Sequence, residues 1–268
     1  MSKNKKSKSP VTGQEYQASS EPRYTGIPSF MRSPIATSLD ALNIALVGVP
    51  YDGGVTNRAG ARHGPREMRN QSSLMRGYHH VTRVNPFEQA SIADVGDVIF
   101  SEQFNHQAVV DDITNFFSLI KKAGVIPLSA GGDHSITYPI FRGIAKDGPI
   151  GMIHIDAHTD TWGEIWGNKF HHGSPFRLAV EDGLLDPKRT IQIGIRGAQN
   201  FYGVEPDIST FGTLLLDIFS GLVYTGCFNK ELFRLSFSTD ILFPTTPGII
   251  LDIESIKITA GVSPPDTI

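Results

Sequence analysis

Two clusters of polar residues carry the side chains best suited to chemistry, and each directly follows an apolar stretch of the chain. The clusters read Gly131-Gly132-Asp133-His134-Ser135 and Asp156-Ala157-His158-Thr159-Asp160-Thr161. In an extended chain the residues at positions i, i+2 and i+4 point to one face, so Asp156, His158 and Asp160 can converge on one point. Two carboxylates and an imidazole form a metal-ligand set, and a cation offsets the cost of burying the carboxylates.

His134, in the first cluster, is the candidate for a fourth ligand of the same site. Oxygen-rich ligands with some imidazole suit hard ions such as Mn²⁺, although these residue types leave nickel and iron open. Taken alone, the Gly-Gly-Asp-His sequence is also compatible with a turn followed by a helix N-cap. The presence of both clusters after successive predicted strands favours the metal site over this alternative.

The elements that would position these clusters follow from the apolar pattern. Short apolar stretches predict β-strands at 42–47, 93–98, 125–129, 150–155 and 190–195. Helical spacing predicts a helix that starts near Asn105 and ends before a Gly124 cap, and further helices at 135–146 and 175–182. Apolar strands that alternate with helices are typical of a parallel sheet covered on both faces. Such sheets bind ligands beyond the carboxyl ends of their strands, which is where both clusters lie.

Composition excludes other classes of protein. The chain of 268 residues has 24 Lys and Arg against 27 Asp and Glu, a net charge of −3, so we expect no nucleic-acid partner. The longest apolar stretch, 211–224, is shorter than the ~20 residues that span a bilayer, so we expect no membrane segment. Cys227 is the only cysteine, so no disulfide bond can form within the chain, and we expect a cytoplasmic protein. Residues 1–40 are predicted to form a largely irregular arm, and 41–268 a single α/β domain.

The motifs and their order resemble the ureohydrolase family, which includes arginases and agmatinases. The residues that carry the resemblance are GGDHS at 131–135 and DAHTDT at 156–161. GVPYD at 48–52, TNRAGARHGP at 56–65 and IGIRG at 193–197 are similar to agmatinase-type members. The resemblance implies an arginase/deacetylase-like fold, a three-layer α/β/α sandwich with a mainly parallel sheet. It also implies a homo-oligomer, commonly a trimer or hexamer.

The resemblance further implies an activity, a cofactor and a ligand set. The activity is metal-dependent hydrolysis of a small guanidino substrate, agmatine or a guanidino acid, to urea and an amine by a hydroxide that the metal activates. Two Mn²⁺ ions per subunit are expected, with Ni²⁺ as the other candidate. The implied ligands include His134, Asp156, His158 and Asp160.

A histidine in the loop after the second cluster is implied to handle the proton that the departing amine needs. The family places a His-Gly pair in this loop, and the chain reads Phe170-His171-His172-Gly173-Ser174. His172 matches the pair and is assigned the acid–base role, with His171 as its rival. An ordinary histidine pKa of about 6.5 suits proton transfer near neutral pH.

A second carboxylate cluster, which the family writes as Ser-Phe-Asp-X-Asp-X-X-Asp-Pro, is altered in this chain. In its best counterpart, SFSTDILFP, Asp240 matches the second aspartate, while Ser238 and Phe243 replace the first and third. Asp252 with Glu254 is the alternative pair, but we favour Asp240 as a metal ligand. Losing a bridging carboxylate weakens the second metal site. The alternative function is therefore a catalytically impaired relative that binds one metal and acts as a binding or regulatory subunit.

Overall fold

The computed structural model describes residues 11–14, 21–195, 214–216 and 223–225. The chain divides into two units, Met1–Ile144 and Ala145–Ile268. The single domain predicted for 41–268 stays a prediction. The predicted arm belongs to the first unit. Within 21–40, regular structure is limited to a 3₁₀ turn at Phe30–Arg32 and a single β-bridge from Ile35.

The first unit contains a parallel sheet with a fully buried central strand. Its strands, in spatial order, are β2 (Ile92–Asp97), β1 (Ile44–Val49) and β3 (Ile126–Gly131). Every residue of β1 is buried, as expected for an apolar strand covered on both faces. The strands predicted at 42–47, 93–98 and 125–129 are therefore confirmed, with ends displaced by one or two residues.

Helices connect or follow these strands. They are α1 (Gly64–Gln71), α2 (Pro86–Gln89), α3 (His106–Lys122) and α4 (Thr137–Ile144). The Asn105 side chain accepts hydrogen bonds from two backbone N–H groups in the first turn of α3. α3 ends before Gly124, whose φ of 70° suits a residue without a side chain, as the sequence predicts. The helix predicted at 135–146 is shorter, because a 3₁₀ turn at His134–Ile136 precedes α4.

Arg69 of α1 ties the arm to the edge of the sheet. Its guanidinium holds Asp94 of β2 through Nε–Oδ2 at 2.8 Å and Nη2–Oδ1 at 3.0 Å, and Nη1 lies 2.7 Å from Asp97 Oδ1. The guanidinium carbon also lies 4.1 Å from the centre of the Phe30 ring, and the Phe30 N–H donates to Asp94 Oδ2. Burial raises the pKa of Asp94, but its hydrogen bonds with Arg69 and the backbone lower the pKa below its usual value.

The second unit also begins with parallel strands. They are β4 (Ile150–Ile155) and β5 (Leu185–Ile193), joined through α5 (Pro175–Glu181). β4 has the predicted bounds, whereas β5 begins five residues before the predicted 190. Two short antiparallel strands follow in the chain, β6 (Leu214–Leu216) and β7 (Val223–Thr225). In the part of the chain that the structure describes, no helix is long and apolar enough to cross a membrane.

β5 carries a bulge that changes its register with β4. The pairs on either side of the bulge are Ile150 with Leu185 and Met152 with Thr190. Two steps along β4 thus correspond to five along β5. Asp186 closes the bulge, because its carboxylate accepts hydrogen bonds from Lys188 N and Arg189 Nε, each at 2.9 Å. Beyond the bulge, Gln192 pairs with His154, and both side chains are buried.

Candidate metal centre

The chain turns after β4, where the second polar cluster begins. β4 ends at Ile155, and Asp156 Oδ1 accepts a hydrogen bond from the backbone N–H of His158 at 3.0 Å. Asp160 has a φ of 51°, in the left-handed region that aspartate tolerates better than most residues. The extended conformation predicted from 156 to 160 is therefore wrong, because the Asp156 side chain closes a local turn that competes with the strand.

This turn brings three potential ligand atoms together in the second unit. One side-chain atom from each of His154, Asp156 and Asp160 lies within 4.8 Å of the other two. His154 and Asp160 are each 7% exposed, whereas the Asp156 side chain is 31% exposed. Two carboxylates held close beside a buried imidazole fit a hard divalent cation, since the cation offsets both their mutual repulsion and the cost of their burial.

Sequence reasoning missed His154, which lies inside the apolar strand β4. The signal that could have found it is its position two residues before Asp156, which places both side chains on the same face of the strand. The apolar neighbours of His154 favour reading it as part of the strand core, and its burial is consistent with that environment.

Several predicted ligands stay predictions. His158 lies next to the cluster, with Nδ1 3.7 Å from Asp156 Oδ1, and its side chain is 67% exposed. Asp240, together with the alternative pair Asp252 and Glu254, lies outside the described residues.

In the first unit, His134 opens the 3₁₀ turn that follows β3. The preceding Asp133 accepts hydrogen bonds from Ser135 N at 2.7 Å and from Gly54 N at 2.8 Å. The turn-and-cap interpretation of Gly-Gly-Asp-His thus holds for Asp133, which also anchors the loop after β1. The role of His134 as a ligand stays a prediction.

Tyr51 follows β1 and is buried beside this turn in the first unit. Its hydroxyl oxygen lies 2.7 Å from His106 Nδ1, at the start of α3. Burial, followed by the charge of Asp133, raises the pKa of Tyr51 to about 12. The phenol therefore stays protonated at neutral pH and acts there as a hydrogen-bonding group.

The two loop histidines have different surroundings. His171 is 5% exposed, its Nε2 lies 2.7 Å from the carbonyl oxygen of Gly163, and its Nδ1 accepts a hydrogen bond from Gly173 N at 3.2 Å. These contacts define a neutral ring with its proton on Nε2. His172 is only half-buried, and its ring centre lies 6.3 Å from that of His171. His171 therefore braces the loop, whereas His172 is more accessible.

Parallel strands with two carboxylates and an imidazole clustered at the end of β4 define an α/β protein with a candidate metal site. The model of the arginase family matches residues 42–212. The chain belongs to the arginase family, and the resemblance to ureohydrolases is confirmed.

Known proteins share this match over part of their length. The chain is 51% identical over 189 residues to guanidinopropionase of Pseudomonas aeruginosa, which covers 69% of this chain and 58% of that protein. It is 46% identical over 177 residues to mitochondrial agmatinase of Gallus gallus, which covers 66% of this chain and 52% of that protein. The chain thus spans less than two thirds of the length of these relatives.

A solved structure shares the fold. Proclavaminate amidinohydrolase of Streptomyces clavuligerus matches with a TM-score of 0.68 and 34% identity, over 73% of this chain and 65% of that one. The predicted fold class, a three-layer α/β/α sandwich with parallel strands, is therefore confirmed.

Proposed function

We propose that this protein hydrolyses a guanidino compound, agmatine or a guanidino acid, to urea and an amine. The observation that carries the proposal is the cluster of His154, Asp156 and Asp160 at the carboxyl end of β4, where sheets of this class bind ligands. The relatives support the substrate class, because guanidinopropionase and agmatinase are named for guanidino substrates.

The proposed centre takes two Mn²⁺ ions per subunit, with Ni²⁺ as the alternative metal. The predicted ligands are His134, Asp156, His158, Asp160 and Asp240. When bound, the metal supplies Lewis acidity and a nucleophile at neutral pH. A guanidinium needs this help because its delocalised positive charge makes its carbon a poor electrophile.

His172 is proposed to deliver a proton to the departing amine. Its rival, His171, has both ring nitrogens in contact with the backbone of Gly163 and Gly173. Protonating His171 on Nδ1 would break the hydrogen bond from Gly173 N, so proton transfer there would disturb the loop. His172 is more accessible than His171, and it occupies the position of the family's His-Gly pair.

The proposed assembly is a homo-oligomer, a trimer or hexamer, that acts on a small-molecule substrate in the cytoplasm. Family membership supports the assembly, and the single cysteine supports the cytoplasmic location. Light scattering coupled to size-exclusion chromatography measures the mass of the assembly, and a monomer at micromolar concentration would contradict it.

Urea release tests the proposed activity. The Mn²⁺- or Ni²⁺-loaded protein is assayed with agmatine, guanidinobutyrate, guanidinopropionate, arginine and guanidine, and we expect urea from agmatine or a guanidino acid. Asp156→Asn should abolish urea release, since it removes a charged ligand. Asp182→Asn, the same change at an exposed position after α5, should leave it within about twofold. No urea from the whole panel with either metal would contradict the proposal.

The altered second carboxylate cluster favours one other candidate function. Ser238 and Phe243 stand where the family has aspartates, so the second metal site is weakened. A protein that binds one metal could act as a binding or regulatory subunit. Metal content measured by mass spectrometry separates the two: two ions per chain support the hydrolase, and one or none supports the alternative.

A further inference from the structure

We propose that His154 and Gln192 are positioning residues, which form a relay of polar contacts that orients Asp156 toward the metal. The inference rests on the proposed function, because it assumes that Asp156 binds a metal. The relay runs across the β4–β5 pair, from the carbonyl oxygen of Thr159 through Gln192 and His154 to the carboxylate of Asp156.

The orientation of the Gln192 amide is fixed by Thr159. Gln192 is fully buried, and its Nε2 donates to the Thr159 carbonyl oxygen at 2.8 Å. A carbonyl oxygen can only accept, so the NH₂ end of the amide must face it. The same NH₂ group lies 3.2 Å from His154 Nδ1 and offers its second hydrogen there.

This contact sets the tautomer of His154. Because Nδ1 accepts from Gln192, the proton of a neutral imidazole resides on Nε2. Nε2 lies 3.4 Å from Asp156 Oδ2, close enough for electrostatic attraction although the pair lacks hydrogen-bond geometry. A protonated nitrogen has no lone pair to give to a metal. His154 therefore acts on the site through Asp156 and not as a ligand.

Packing keeps the imidazole in this position. The His154 ring meets the ring of Phe176 of α5 edge-on, with centres 4.5 Å apart. The β4–β5 register places Gln192 directly opposite His154. The ring is thus held on one side by an aromatic side chain and across the strands by an amide.

Asp156 consequently has a polar neighbour at each of its oxygens. Oδ1 accepts the backbone N–H of His158 at 3.0 Å, and Oδ2 faces His154 Nε2. Each carboxylate oxygen has two lone pairs, so each keeps capacity for a cation after these contacts. Fixing the carboxylate before the metal arrives removes a reorganisation cost from binding, and partners of this kind contribute about 10–100-fold in metal affinity.

The test measures Mn²⁺ affinity of the full chain, by electron paramagnetic resonance of the free ion, so that it does not depend on turnover. His154→Phe keeps an aromatic ring against Phe176 but removes the N–H, and we expect Mn²⁺ binding to weaken about 10–100-fold. Gln192→Met keeps the volume but frees the tautomer, and it should weaken binding in the same direction. His154→Gln retains an amide N–H at the reach of Nε2 and should restore affinity to within about threefold of wild type.

Thr190→Val is the matched control. Thr190 is buried on β5 two residues before Gln192, and its hydroxyl donates to the Asp186 carbonyl oxygen. Its loss should lower thermal stability and leave Mn²⁺ affinity unchanged. A folded His154→Phe variant with wild-type affinity would overturn the inference.

Other outcomes are equally decisive. Equal and complete loss of binding in His154→Phe and His154→Gln would identify His154 as a direct ligand and also overturn the inference. A wild-type chain that binds no Mn²⁺ would overturn it as well. Normal Mn²⁺ affinities in this series without urea release would overturn the proposed function alone.

Discussion

The carboxylate of Asp52 is buried and clamped by the guanidinium of Arg62, which contacts Oδ1 through both Nε and Nη2. Its second oxygen accepts hydrogen bonds from Gly60 N at 2.6 Å and Arg62 N at 3.2 Å. The Asp52 side chain is fully buried, whereas that of Arg62 is 48% exposed. The buried carboxylate of Asp52 thus fixes the loop after β1 through these contacts. The hydrogen bond from Arg62 is the main reason that the pKa of Asp52 falls to about 2.

Arg62→Met should destabilise the protein by about 1–3 kcal/mol, because it leaves a buried carboxylate with backbone donors alone. Urea denaturation followed by circular dichroism measures the free energy of unfolding. Arg58→Met, which removes an exposed arginine from the same loop, is the control and should stay within about 0.5 kcal/mol of wild type. A loss below that value for Arg62→Met would show that the ion pair contributes nothing.

The same pair predicts a pH dependence. The folded pKa of Asp52, about 2, lies below its ordinary value of 3.8, so its contribution to stability is fully present above that value. It is lost as the pH falls from about 4 to about 2, where the folded carboxylate becomes protonated. The stability difference between wild type and Arg62→Met should therefore be constant above pH 5 and shrink toward pH 2. A difference that stays constant throughout would contradict the assignment.

His172→Asn should reduce kcat for urea release by about 10²–10⁴-fold, because it removes the group that moves a proton. KM and Mn²⁺ affinity should change little, since the substitution removes no predicted ligand. Steady-state urea assays measure both kinetic constants. His80→Asn, the same change at an exposed histidine of the first unit, should be without effect. Unchanged turnover in His172→Asn would remove this residue from proton transfer.

Arg69→Lys should release the N-terminal arm. A lysine cannot reproduce the two parallel contacts to Asp94 or stack as a plane on Phe30, so we expect a loss of about 1–3 kcal/mol. Local opening should then expose the bond after Arg32, and trypsin should cut there about tenfold faster. Mass spectrometry of the fragments over time measures the rate. Arg66→Lys, at an exposed position of the same helix, should leave it unchanged.

Gly132→Ala should destabilise the first unit by about 3 kcal/mol or more. A β-carbon at this position would overlap the carbonyl oxygen of Tyr51 and lie 2.7 Å from that of Val49, and neither backbone can move easily. At Gly163 the nearest atom would be Arg177 Nη1 at 3.5 Å, so Gly163→Ala should cost little. Thermal unfolding compares the two variants, and equal melting temperatures would contradict the packing argument.

Burial explains which elements could be predicted from the sequence. β1 was predicted because a strand covered on both faces needs a continuous apolar run. β4 was predicted from the same kind of run, although only Met152 and His154 are buried in it. α1 was not predicted, because its sequence GPREMRNQ is mostly polar. That helix depends on Pro65 in its first turn and on contacts from Arg69 to Asp94, 25 residues further along the chain. A local sequence pattern does not indicate contacts between residues that are this far apart in the chain.

The candidate site shows the same division. Residue type and spacing identified Asp156 and Asp160 as neighbours, and the structure brings them together. The turn that does so depends on a hydrogen bond from the backbone N–H of His158 to the Asp156 side chain. The sequence allows this hydrogen bond but does not show whether it forms. His154 was missed because it lies within an apolar strand, where the pattern indicates a core position. Its partner, Gln192, lies on another strand and is not near it in the sequence.

The bulge in β5 constrains how this family member can evolve. Side chains of a strand alternate between its faces, so the three extra residues, an odd number, exchange the inward and outward sets beyond the bulge. Without them, the pairing of Ile150 with Leu185 would continue to place Arg189 opposite His154, a cation beside a site suited to cations. Homologous chains should therefore vary across 186–189 in composition more freely than in length.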